Sequence, residues 1–301
     1  MRRTGQNSPK KFLTIYLKST QTASEEWGDK SESVYVQDTN QLIRSPKVKS
    51  QMQIPILYED DEVLAVNKPA GLVVHPDGRT TEPTLADLLV VKYPSIRGVG
   101  ETIALTKGGV IEKWGIVHRI DRDTSGVLLI AKTQESFLNL KSQFQVRTIK
   151  KSYRALAQGT FKETSGTIDK PIGRSKSDFR RWSAEFGARG ELRDAVTDYR
   201  VLDTGEVTFP KKKEVMRVSY LEVSPHTGRT HQIRVHLKAV GHPIICDKLY
   251  APNVPCVLGF ERMALHAFSV TFKGLNGEEH RVEAPLPPDF AHAIAELGLV
   301  C

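Results

Sequence analysis

The sequence predicts an α+β fold, and three observations carry that expectation. Apolar residues alternate at period two in several short segments, which marks strands. They recur at spacings of three and four in a few others, which marks helices. The two kinds of segment follow one another without the regular alternation of a doubly wound sheet, and no internal repeat divides the chain. At 301 residues, with 39% hydrophobic and 26% charged, the chain has the composition of a globular protein and exceeds the usual single-domain length of about 100 to 200 residues.

Residues 1–52 are polar and lack apolar periodicity, so an N-terminal extension is expected to precede a compact domain over 53–301. In that domain "IPILYEDDEVLAVNKPAGLVVHP" reads as two strands joined by Glu59-Asp60-Asp61, with Pro69-Ala70-Gly71 as a second turn. Residues 77 to 113 are less regular, with a short helix at "EPTLADLLVVKY" that begins near Thr84. "GVLLIAK" is a continuous apolar run of strand length, and "TQESFLNLKSQF" is a helix with Phe137, Leu140 and Phe144 on one face. "KSYRALAQG" and "VSYLEVSP" alternate as strands. "THQIRVHLKAVGHP" reads as a helix with Thr230 as N-cap, Ile233, Leu237 and Val240 toward the core, and Gly241 then Pro243 as the stop. "RMALHAFSVTF" is the last strand of the series.

Charge points to a polyanionic partner. Between Lys141 and Trp182 there are eleven Lys or Arg (141, 147, 150, 151, 154, 162, 170, 174, 176, 180, 181) against three acids (163, 169, 178), an excess equal to the +8 of the whole chain. Nucleic acid is the leading candidate. No apolar run approaches the roughly 18 residues that span a bilayer, and the opening stretch has no apolar leader with a small-residue cleavage site, so no membrane association and a cytoplasmic location are expected. Cys246, Cys256 and Cys301 lack Cys-x-x-Cys spacing, which predicts neither a disulfide framework nor a zinc site.

The densest chemistry lies in "VHRIDRDTSGVLLIA". Asp123-Thr124-Ser125-Gly126 is similar to an aspartic-protease loop, but that loop follows an apolar strand and occurs twice, and neither holds here. His118-Arg119 before an aspartate is similar to a kinase catalytic loop. A kinase also needs a glycine-rich phosphate loop, a strand lysine and a downstream Asp-Phe-Gly, and all are missing. His226, His231, His236 and His242 suggest a metal hydrolase, yet helical residues five apart diverge by about 140° and cannot share one ion. They are read instead as capping, packing or RNA-contacting groups. A glycosidase pair of carboxylates is not defined by Asp121 and Asp123 alone.

Taken together, these segments resemble the RluA-type pseudouridine synthases. "HRIDRDTSGVLLIAK" matches that family's signature, His-Arg-Leu-Asp-x-x-Thr-Ser-Gly before an apolar strand. "ILYEDDEVLAVNKPAGLVVHP", "KKSYRALAQG", "TGRTHQIRVHLKAVGHPIICDKLY" and "ALHA" resemble its other motifs in the right order over roughly residues 54 to 288. The resemblance implies the pseudouridine synthase fold, a mixed and mostly antiparallel central sheet flanked by helices and loops. It implies isomerisation of uridine in ribosomal or transfer RNA without metal or other cofactor, by a monomer with no obligate protein partner. Asp121 takes the place of the family's essential carboxylate, in preference to Asp123. Tyr153 matches the tyrosine that lies against the flipped base, Arg234 the basic partner of the carboxylate, and Arg119 the arginine that fills the gap left by the flipped uridine. His118, Thr124, Arg229, His231 and Gln232, from the same two motifs, are expected to contact substrate.

Three positions depart from the pattern. Ile120 stands in place of Leu, Cys246 where a glycine is common before the Asp-x-x-Tyr stretch, and Ala251 where a glycine follows it, so that loop is expected to differ in shape. "SVYVQDTNQLIRSPKVKS" is faintly similar to the last third of a small N-terminal RNA-binding module whose helical part is not recognisable, so a degenerate or lost module is expected over residues 1–52.

Overall fold

A computed structural model describes residues 53–75, 82–104, 110–184, 188–209 and 214–299; the expected remnant of an RNA-binding module lies outside these. In chain order the elements are β1 (Ile56–Glu59), β2 (Val63–Lys68), α1 (Leu85–Lys92), β3 (Thr102–Ala104), β4 (Val110–Glu112), β5 (Ser125–Ala131), α2 (Gln134–Gln145) and β6 (Lys150–Gln158). There follow β7 (Ser165–Asp169), β8 (Ile172–Arg174), β9 (Trp182–Ser183), β10 (Arg189–Arg193), β11 (Val196–Phe209) and β12 (Glu214–Pro225). The chain ends with α3 (Gln232–Ala239), β13 (Leu265–Lys273), β14 (Glu279–Glu283) and α4 (Pro288–Glu296).

Nine strands form one sheet in the order β1-β2-β5-β13-β6-β12-β11-β7, with β14 also on β13; β10-β8-β9 and β3-β4 make two small sheets. Only the β5–β13 pair among the described strands is parallel, so the mixed, mostly antiparallel α+β architecture expected from the sequence is the one found. β5 is buried along its whole length, which is why it reads as an unbroken apolar run. Helices cover it. Phe137 and Leu140 of α2 pack on one face with Val127, Leu129 and Phe272, while Leu85 and Leu89 of α1 pack on the other with Leu64, Leu128 and Ile130. Each such buried side chain contributes about 1.5–3 kcal/mol. Thr84 and Thr133 close capping boxes with Asp87 and Ser136, and so fix where α1 and α2 begin.

Strand β13 joins the two halves, and its register positions the site. Ala267 pairs with Gly126 of β5 on one side and with Tyr153 of β6 on the other. Gly126 has φ 114°, and a Cβ there would run into the backbone of Ala267. Glycine at the end of "DTSG" therefore lets the loop that carries Asp121 enter the sheet beside Tyr153.

Three expectations are corrected. α3 starts at Gln232, because His231 adopts a left-handed conformation (φ 58°) that helix cannot continue, so Thr230 is not its N-cap. Val240 lies past the last turn of α3 and is 36% exposed instead of facing the core. Cys246 and Cys256 form a disulfide. Their spacing of ten residues carried no motif, and the loop between them is what folds them together.

Candidate active site

Asp121 sits in a tight turn whose backbone is fixed from three directions. Its carbonyl accepts from Thr124 N–H at 3.1 Å. The Arg122 carbonyl accepts from Gly71 N–H and from the Lys68 ammonium, both at 2.9 Å, and that of Asp123 accepts from Arg262 Nη1 at 3.1 Å. Lys68 is fully buried at the end of β2 and also donates to the carbonyls of Pro69 and Leu72. Burial brings its pKa down to about 7, while three carbonyl acceptors match the three protons of its charged form. The "NKPAG" turn is thus a clamp on the loop that carries Asp121.

The side chain of Asp121 meets Arg234 of α3, with Nη1 3.0 Å from Oδ2. Arg234 is in turn gripped by Asp247, which accepts from Nε at 2.7 Å and Nη2 at 2.8 Å, and it lies 4.8 Å over the Tyr250 ring. Burial works against the charge on Arg234, but the bonds to Asp247 and the neighbouring Asp121 outweigh it and hold the guanidinium above its ordinary pKa. Asp123, two residues on, is exposed, lines the second of the two cavities described next, and makes no side-chain hydrogen bond or ion pair among the described residues.

A cavity of about 510 Å³ opens on Asp121 and is lined by Tyr153, Ile233, Leu265, Val117 and Phe144 among others. Its lining carries seven cations (Lys113, Arg119, Lys141, Arg147, Lys151, Arg229, Arg234) and one carboxylate, Asp121. A second cavity of about 500 Å³ shares Arg119, Asp121, His231 and Arg234 with it, so the carboxylate and its guanidinium stand at the waist between the two. Burial, and next the Asp121 carboxylate, push the Tyr153 phenol well above its ordinary pKa, which keeps it protonated. Arg119 is exposed at the same waist and has no hydrogen bond or ion pair among the described residues.

The remaining expected contacts divide. Arg229 and His231 line the cavity. The Tyr250 hydroxyl accepts from Trp182 N–H at 2.9 Å and so donates to His231 Nδ1 at 2.8 Å, which leaves the His231 proton on Nε2. Burial lowers the His231 pKa and keeps the ring neutral. Thr124 is buried, and its hydroxyl has no hydrogen-bond partner among the described residues. His118 lines the cavity, but its Nε2 accepts from Leu129 N–H at 2.9 Å and its ring stacks on Phe144. Burial holds its pKa near 3. Gln232 is more committed still. Its amide bonds Thr227, Arg229 N–H, Val196 and Thr197, which uses every donor and acceptor site it has toward the protein. The histidines suspected of binding metal are dispersed: His226 pairs with Asp198, His236 bonds Thr197 and Lys170, and His242 stacks on Phe161.

A carboxylate held by a buried Arg–Asp pair thus stands beside a tyrosine in a cavity rich in cations. The model of the RNA pseudouridylate synthase family matches residues 62–239. The chain belongs to that family. An RNA pseudouridine synthase of Synechocystis sp. is 34% identical over 85% of this chain and 73% of its own length. Ribosomal large subunit pseudouridine synthase D of Neisseria meningitidis serogroup B is 37% identical over 84% of this chain and 63% of its own, so this chain spans less than two thirds of that relative. Among solved structures, human RNA pseudouridylate synthase domain containing 1 superposes with a TM-score of 0.59 at 27% identity, over 78% of this chain and 84% of that one. RNA pseudouridylate synthases are isomerases that convert uridine in RNA to pseudouridine. The sequence resemblance had pointed to this family, and to RNA as the substrate.

Sequence reasoning passed over Asp247, Lys68, Tyr250 and Arg262. Asp247 and Tyr250 stand in the quoted "CDKLY" stretch and Lys68 in "NKPAG", so a carboxylate beside the Arg234 motif and a lysine ending an apolar strand were the available signals. Nothing in the sequence around Arg262 sets it apart.

Proposed function

We propose that Asp121 is the group that acts on the ribose of a uridine turned out of a folded ribosomal or transfer RNA. The observation that carries the proposal is that Asp121 is, among the described residues, the one carboxylate in a cavity whose lining carries seven cations, with Arg234 3.0 Å away as its counter-charge. In the reaction the bond from C1′ to N1 of uracil breaks, the base rotates, and a bond from C1′ to C5 forms. The C5 proton is lost and N1 gains one, so no oxidant or co-reactant is needed. A carboxylate beside the anomeric carbon can attack it or help the base depart.

The other side chains take supporting roles. Tyr153 presents its flat face to the uracil and its hydroxyl to proton movement near the base. Arg119, which has no ion pair among the described residues, occupies the space that the flipped nucleotide vacates. Turning a nucleotide out costs a few kcal/mol of unstacking, and such an insertion together with phosphate contacts offsets that cost. Arg229 and the Nε2–H of His231 face substrate, whereas Thr124, whose hydroxyl is buried, and His118 and Gln232 hold the walls on which those groups stand. The protein works as a monomer in the cytoplasm, on the same RNA pool as its relative named for the ribosomal large subunit.

The test is a map of pseudouridines in cellular RNA with and without the gene, followed by reaction of the purified protein on a synthetic RNA that carries the site so found. Loss of one or a few pseudouridines, restored in vitro, supports the reading. An unchanged map, or release of free uracil in place of isomerisation, overturns it.

A further inference from the structure

The cavity contains a second chemical feature that the isomerisation itself leaves unused. Lys151 and Tyr153 are two residues apart on β6, so their side chains leave the same face of the strand, and both line the cavity. Nearby cations have carboxylate partners: Lys150 faces Glu279, Arg154 is 3.0 Å from Glu222, and Lys113 and Lys141 share Glu101. Lys151 has none among the described residues. Among the described residues its ammonium makes one hydrogen bond, to the Thr227 carbonyl at 3.1 Å, and burial draws its pKa down to about 8.

A cation withdrawn from water without a counter-ion costs free energy, and an arriving anion would recover it. Of the three ammonium protons, one goes to Thr227, which leaves two for a ligand. Arg147 and Arg229 line the same cavity beside it. Arg147 follows α2 in a left-handed conformation (φ 62°) and makes no ion pair among the described residues, where the Arg229 side chain donates only through Nε, to the Asp194 carbonyl at 3.0 Å. The single carboxylate in the lining, Asp121, is already engaged by Arg234, so no acidic group competes for an anion.

We propose that Lys151, with Arg147 and Arg229, holds a phosphodiester that flanks the target uridine. The proposal rests on RNA isomerisation as the activity. Positions two apart on a strand are separated by about 6.6 Å, the scale of the distance from a base to the backbone phosphate of its own nucleotide. A uracil against Tyr153 thus brings a flanking phosphate to Lys151. Lys151 sets where the nucleotide stops as it enters, and Asp121 then meets the sugar.

The experiment uses the full chain and a synthetic RNA stem–loop that carries the uridine located by the in-cell map. The RNA is made with ordinary linkages and with one neutral methylphosphonate, either 5′ or 3′ to that uridine. A charge-assisted hydrogen bond is worth about tenfold or more in affinity. Lys151→Met is therefore expected to raise KM about tenfold while lowering kcat less, and Lys151→Arg to recover part of the loss. In wild type a methylphosphonate at one of the two positions should raise KM by a similar factor, and that change should cost Lys151→Met nothing further. If neither methylphosphonate affects wild type, the proposal fails without recourse to any variant. It also fails if the methylphosphonate costs the variant as much as wild type. No conversion of the ordinary RNA by wild type would overturn the activity and this proposal together, which separates the two failures.

Discussion

Asp247→Asn tests whether Asp121, the proposed catalytic carboxylate, depends on a partner that does not itself touch the reacting atoms. Asp247 is 1% exposed and Arg234 9% exposed in their side chains. The substitution keeps shape and removes charge, and it turns an NH₂ toward a guanidinium that can only donate. Removing one partner from a buried ion pair costs about 3–5 kcal/mol. Asp121 remains as a second carboxylate for Arg234, and an amide oxygen can still accept from the N–H groups of Leu249 and Tyr250. The low end, about 3 kcal/mol, is therefore expected, which corresponds to a fall in Tm of roughly 6–12 °C for a domain of this size. A guanidinium freed by even 1 Å misplaces Asp121, so kcat should fall by about ten- to a hundredfold. RNA affinity should stay within about threefold, since the cations that meet phosphate are untouched. Thermal melting, single-turnover conversion below the melting range and filter binding give the three numbers. A variant with unchanged Tm and unchanged kcat would refute the chain of support from Asp247 through Arg234 to Asp121.

Three further outcomes are expected. Tyr153→Phe keeps the stacking face and removes the hydroxyl, so it should bind RNA normally and turn over very slowly; full activity would reduce Tyr153 to packing. Gly126→Ala places a Cβ against the backbone of Ala267 at a φ of 114°, and should melt well below wild type or fail to fold; a Tm within about 2 °C would contradict the register given for β5 and β13. Replacing Arg180 and Arg181 by Glu should raise KM and flatten the dependence of log affinity on log salt by about 0.7 for each phosphate that the protein no longer neutralises. An unchanged slope would remove the small β8–β9–β10 sheet from the RNA-binding face.

Much of the fold was legible because its elements announce themselves locally. β5 is buried on both faces and reads as a solid apolar run; α1 and α2 open with threonine caps that the sequence displays. What stayed hidden depends on residues far apart in the chain. The Asp121–Arg234 pair spans 113 positions, and was reached only through the family motifs. The hold of Lys68 on the Arg122 carbonyl spans 54, and nothing in "NKPAG" says what the lysine grips. The long β11–β12 hairpin was half missed because β11 is mostly half-exposed and rich in Asp, Thr and Gly, which blurs its alternation. Charge density was also only partly informative: Arg180 and Arg181 both lean on Asp178, and Lys141 and Arg154 are paired, so the basic window exposes less free charge than its count suggests.

The central claim is that Asp121, and not its neighbour two residues on, performs the chemistry. The measurement that meets it most directly is conversion of uridine to pseudouridine in the mapped RNA by Asp121→Asn and Asp123→Asn, side by side, with RNA affinity measured on the same preparations. The account predicts no product from Asp121→Asn, affinity within a few fold of wild type for both, and near-normal turnover by Asp123→Asn. Substantial product from Asp121→Asn, with Asp123→Asn inactive, would contradict it.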